Sequence, residues 1–147
     1  MRPGQLVRCE LQADTRLLAG LKQQLVDAVA ELGWSCDDLN RFELVVEEAV
    51  INIMLYAYPD GGGSLAVELW QGDGQLLHLQ LEDQGPPFNP LEPRKLDLSA
   101  PLEERSIGGL GVHLVQSLSD GMSYQRENGS NRLELVFRQR VTAQEES

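Results

Sequence analysis

Side chains that commonly bind transition metals are scarce in this 147-residue chain. It has two cysteines, Cys9 and Cys36, and two histidines, His78 and His113. Neither pair has metal-ligand spacing, which argues against a zinc centre and leaves the thiols as free residues of a reducing compartment. No apolar run approaches the roughly 18 residues that a membrane-spanning helix needs. The opening MRPGQLVRCELQ has no signal-peptide-like apolar stretch, so the cytoplasm is the expected compartment. Cations are also few: 12 Lys and Arg face 23 Asp and Glu, a net charge of −11. That balance argues against nucleic acid as a partner and suits a basic protein surface. An anionic ligand would have to be met by cations and amide donors gathered in one place. The length suits one domain, expected over residues 1–140 with a polar tail at 141–147. With 41% hydrophobic and 24% charged residues, the composition is that of a folded globular protein.

The stretch from Ser35 to Asp60, SCDDLNRFELVVEEAVINIMLYAYPD, organises the rest. Ser35 with Asp38 three residues on is a variant capping box. Leu39, Phe42, Val46, Ala49, Val50, Ile53 and Ala57 then recur at helical spacing and face a core. At about 100° per residue, Glu48, Asn52 and Tyr56 form a second stripe along one edge of that face, with Glu47 on the opposite flank. Asn is a poor helix former, so Asn52 in the middle of a good helix needs a reason. A solvated edge or a local hydrogen bond is one such reason, and a site is the other.

Ahead of this helix, Leu6–Leu11 reads as an edge strand. Asp14 caps a helix carrying Leu17, Leu18, Leu21, Leu25, Val29 and Leu32, which Gly33 ends. Beyond Pro59, which stops the central helix, Leu65–Trp70 and Leu76–Leu81 form a hairpin around Gly72-Asp73-Gly74. His78 reads as a surface or partly buried strand residue. The second strand delivers Asp83 to its end, Gly85 permits close backbone approach, and Pro86-Pro87 stiffen the exit. One reading is a strand that simply ends in a turn; the other makes Asp83 a fixed acceptor at the mouth of a pocket, able to take a hydrogen bond from an exocyclic amine. Residues 89–107 contain three prolines, no sustained period and three cations, Arg94, Lys95 and Arg105, which is the pattern of a functional lid. Gly108-Gly109-Leu110-Gly111 opens a third helix; glycines there let an anion reach the free N–H groups and the favourable end of the dipole, and a plain tight turn uses the same residues. Met122–Arg126 and Leu133–Arg138 close the chain as two strands around the turn Asn128-Gly129-Ser130-Asn131.

Three of these segments, in this order, resemble the motifs of the GHKL ATPases, the superfamily of gyrase, heat-shock chaperones, histidine kinases and mismatch-repair ATPases. Glu48-Ala49-Val50-Ile51-Asn52 through Tyr58 is similar to their N box. Asp83-Gln84-Gly85 with Pro87-Phe88 is similar to the first glycine box, and Gly109-Leu110-Gly111 to the second. Within the superfamily the chain most resembles the bacterial anti-sigma-factor serine/threonine kinases. The resemblance implies an α/β two-layer sandwich, with helices on one face of a mixed, largely antiparallel sheet. It implies ATP and Mg²⁺, with Asn52 as metal ligand and Glu48 as general base. Asp83 would accept from the adenine amine, Gly85 would make room for the ring, and Gly109, Leu110 and Gly111 would meet the phosphates. Arg105 would reach the terminal phosphate, although two extra residues separate it from the second glycine box. Tyr56 stands where relatives carry His, and Asn131, near the nucleotide, where they carry Thr. Such a kinase phosphorylates a small anti-sigma-factor antagonist and sequesters a sigma factor; homodimerisation stays open. The alternative class is a non-catalytic switch in which nucleotide shapes a partner-binding surface. Glu48 favours the enzyme, because a binding module needs no base beside its metal ligand.

Overall fold

One residue in two along each central strand is buried, and that alternation builds the protein. The computed structural model describes residues 3–87 and 115–140. Its strands are β1 (Gln5–Gln12), β2 (Ser64–Gln71), β3 (Leu77–Asp83), β4 (Gly121–Glu127) and β5 (Ser130–Phe137), in one sheet of order β1-β2-β3-β5-β4. Leu65, Val67 and Leu69 of β2 register with Asp83, Leu81 and Leu79 of β3. Those β3 residues register in turn with Asn131, Leu133 and Leu135 of β5. All of them are buried, whereas the alternating His78, Gln80 and Glu82 are only half-buried, as period-2 patterning on a one-sided sheet requires. Every pairing among the described strands is antiparallel, a simpler sheet than the mixed one expected.

Helices α1 (Leu18–Ala30) and α2 (Cys36–Tyr56) cover the apolar face. Leu21, Leu25 and Val29 of α1 join Phe42, Val46, Ala49, Val50 and Ile53 of α2 and the strand leucines in one core. Phe42 meets Phe137 of β5 edge-on, with ring centroids 5.0 Å apart, a favoured aromatic geometry. Ser35 caps α2 by accepting from the Asp38 amide at 3.1 Å, and Asp14 caps the short 3₁₀ turn Thr15–Leu17 that leads into α1. His78 stacks on Trp70 with 4° between the ring planes. The final turn is shorter than its sequence suggests. Asn128 and Gly129 alone take positive φ, 51° and 79°, the signature of a two-residue hairpin turn matched to strand twist. Ser130 and Asn131 therefore belong to β5, and Asn131 faces Asp83 across the sheet.

A charge cluster joins the beginning of α2 to the segments just before β4 and just after β5. Arg41 Nη1 donates to Leu118 O at 2.8 Å and to Asp120 Oδ2 at 3.1 Å. Its Nη2 donates to Asp38 Oδ1 at 3.1 Å and to Arg138 O at 2.7 Å. Arg41 and Asp38 are both buried, and their pairing answers the cost of placing charges away from water. Burial pushes the Asp120 carboxyl up, but the Arg138 amide, the Arg140 side chain and the Arg41 charge outweigh it and hold the group below its usual range. A depressed carboxylate adds stability that is present above the unfolded value, near pH 4, and lost as pH falls through the folded one. The gap in urea midpoint between the parent and Asp120→Asn is therefore expected to be widest at neutral pH and to close below about pH 4. Asp14, held at about 2 by its hydrogen bonds to Arg16, titrates in the same acid range and cancels in that comparison. A pH-independent gap would rule out the linkage.

Candidate functional site

Helix geometry places Glu48 and Asn52 one turn apart on the edge of α2. The two residues differ in surroundings. Glu48 is half-buried and makes no hydrogen bond or ion pair among the described residues. Glu47, on the other flank, is tied down by Lys22 at 3.7 Å. Asn52 is 8% exposed, and its Oδ1 is buried with no hydrogen-bond partner among the described residues. A buried carbonyl oxygen left unpaired costs roughly 1–3 kcal/mol, so fold stability alone gives little reason to keep it. An oxygen of that kind is what Mg²⁺ takes when phosphates and waters fill most of its shell. The residue fits the ion that the motif implies.

Asp83 reaches the same region from the end of β3. It is 5% exposed, and its Oδ1 accepts from the Gly85 amide and from Asn131 Nδ2, both at 2.9 Å. Asn131 also donates to Pro86 O at 2.8 Å and accepts from the Tyr124 hydroxyl at 2.6 Å. The carboxamide is thus committed to orienting Asp83 and the turn behind it. Arg126 adds a 2.6 Å hydrogen bond to Gly85 O. Gly85 itself has a structural reason to lack a side chain, because a Cβ there would collide with the backbone oxygen of Ala57 at the end of α2. That close approach brings the Asp83 turn against the helix carrying Glu48 and Asn52. Tyr58 completes the junction, its hydroxyl donating to Ser64 O at 2.5 Å and accepting from the Gln84 amide at 2.7 Å.

Arg105, Gly109, Leu110 and Gly111, with the whole lid expected over residues 89–107, lie outside the described residues. The structure adds three site-supporting residues that the sequence did not single out, Tyr124, Arg126 and the hydroxyl of Tyr58. Only Tyr58 carried a signal, through its place in the N-box segment.

The histidine kinase-like ATPase domain family matches this chain over residues 11–137. The chain belongs to that family. Its similarities to individual proteins agree. It is 25% identical over 139 residues to the serine-protein kinase RsbW of Bacillus thuringiensis, covering 91% of this chain and 86% of the relative. The RsbW of Bacillus anthracis is 24% identical over 138 residues, with the same coverage. Among solved structures, the RsbU and RsbW domains of Rv1364c from Mycobacterium tuberculosis align with a TM-score of 0.59 at 15% identity over 90% of this chain. A blue-light activated histidine kinase of Erythrobacter litoralis aligns at 0.56 and 18% identity over 72%. The chain spans about a third of each of those two solved chains, 32%, and at such identities they speak for the fold alone. The α/β architecture expected from the resemblance is the one found. No helix among the described residues is long and apolar enough to cross a membrane.

Proposed function

We propose that this domain binds ATP with Mg²⁺ and transfers the terminal phosphoryl group to a serine or threonine of a protein partner. The observation that carries the reading is the buried, unpaired Oδ1 of Asn52, on the same helical edge as Glu48. The matched relatives named serine-protein kinases point the same way. In this reading Asn52 holds the metal, which when bound offsets phosphate charge and aligns the terminal phosphate. Asp83, oriented by Asn131 and the Gly85 amide, accepts from the adenine amine. Glu48 takes the proton of the incoming hydroxyl as the hydroxyl oxygen bonds to the terminal phosphorus and the bond to the departing ADP oxygen breaks. Arg105 and the glycines of the second box would meet the phosphates. The substrate is a small anti-sigma-factor antagonist, the competing partner is a sigma factor, and the exchange takes place in the cytoplasm.

Asn52→Ala separates a site role from a structural one. Its ATP affinity in the presence of Mg²⁺, measured by calorimetry, is expected to fall at least about tenfold (1.4 kcal/mol). Its urea midpoint should equal or exceed the parent's, because the deletion removes an unpaired buried group. Unchanged ATP affinity would sink the metal-ligand assignment, and a stability loss above about 2 kcal/mol would mark Asn52 as structural.

A further inference from the structure

The four large apolar residues exposed among the described ones are Leu17, Leu44, Leu55 and Tyr56, at 40–47%. Three lie on α2 and the fourth on the 3₁₀ turn that packs against it. At about 100° per residue, Leu44, Ile51 and Leu55 fall within a band of about 40° that runs roughly 16 Å along the helix. That band is the outward ridge of α2, the place where a helix packed on a sheet ordinarily carries polar residues. Scattered exposed leucines need no explanation, but Leu44 and Leu55 align on one ridge with the half-buried Ile51 between them, and apolar residues gathered on one face mark an interaction surface.

Two further observations say what covers it. The first is position, since Glu48 lies about 20° around the helix from Leu55, between the ridge and Asn52. Anything resting on the ridge therefore ends beside the proposed base. The second is charge. Glu43 and Glu47 share one cation, Lys22, at 3.4 and 3.7 Å. Glu48 meets none among the described residues, and the one arginine of α2, Arg41, is buried in its own cluster. Among the described residues, three carboxylates and one ammonium flank the apolar ridge.

We propose that this ridge docks a basic amphipathic segment of the partner protein, with apolar side chains on Leu44, Ile51 and Leu55 and Lys or Arg toward Glu43 and Glu47. Docking there delivers the segment's hydroxyl to Glu48. The delivery rests on the kinase reading, whereas the docking does not.

The test uses the full chain and a fluorescent synthetic peptide with a leucine face, lysines on both flanks and one central serine. A second peptide has glutamates in place of the lysines. Leu44→Gln/Leu55→Gln alters two exposed side chains and should leave the fold intact, as circular dichroism and ATP affinity would both report. The parent is expected to bind the lysine peptide and not the glutamate peptide, and the double variant to bind the lysine peptide at least about tenfold more weakly, since the burial of two leucines by the peptide is lost. Equal binding by parent and variant, equal binding of both peptides, or no binding of the lysine peptide by the parent would each overturn the proposal. So would sedimentation showing that the parent self-associates and the variant does not, because a second copy would then occupy the ridge. If the peptide binds as expected but the parent shows no affinity for ATP, the docking surface stands and the kinase reading fails. ATP binding without peptide binding means the reverse.

Discussion

Glu48→Gln is expected to bind ATP as the parent does and to phosphorylate its protein substrate about 10²–10⁴-fold more slowly, the usual scale for one general base. Gln keeps the length and helix propensity of Glu and removes only the basic carboxylate. Glu48 makes no hydrogen bond or ion pair among the described residues, so the substitution breaks none of theirs, and the unfolding free energy from urea titration should stay within about 0.5 kcal/mol of the parent's. The two readouts therefore divide cleanly. Positioning by Asn52 and Asp83 would sustain a residual rate, because phosphoryl transfer draws mainly on alignment and charge stabilisation. The assignment is falsified if Glu48→Gln turns over at the parent rate in single-turnover transfer from labelled ATP. A parent that binds ATP yet transfers no phosphate to any antagonist protein would favour the non-catalytic switch.

Arg41→Ala is expected to have the largest effect on stability, a loss of about 3–5 kcal/mol in urea unfolding. Its guanidinium serves Asp38, Asp120 and the carbonyls of Leu118 and Arg138, and it lies over the Phe137 ring at 5.9 Å. Truncation takes the buried counter-charge from Asp38, which is 2% exposed and keeps hydrogen bonds from the Ser35 hydroxyl and the Arg140 amide. The penalty comes chiefly from that stranded carboxylate, so Arg41→Ala/Asp38→Asn should recover part of the loss. A double-mutant cycle reads the coupling directly. A loss below about 1 kcal/mol, the range of an exposed ion pair, would show that the cluster is open to water.

Much of the candidate site is legible in the amino-acid sequence. The stripe on α2, the Ser35 cap, the Gly72–Gly74 hairpin and the position of Asp83 at a strand end follow from spacing within a few residues, and such spacing is set by local geometry. The order of the three motifs adds the family, which composition cannot do. The outward ridge of Leu44, Ile51 and Leu55 is present in the same spacing, but helical periodicity does not say which stripe a sheet will cover.

Other features belong to the tertiary structure alone. Asn131 reads in the sequence as part of a turn; in the fold it is the orienting partner of Asp83, 48 residues away in the chain, because β5 pairs antiparallel with β3 in that register. Arg41 and Asp38 form an ordinary i,i+3 pair in the sequence and the centre of a buried cluster in the fold. Gly85 needs its missing side chain because the β3 turn presses on the end of α2. Local spacing sets which face of an element is apolar and where a cap or turn falls. Which elements become neighbours, and in what register, is settled by burying all those faces at once, and the polar groups brought together there find partners that no short stretch of sequence names.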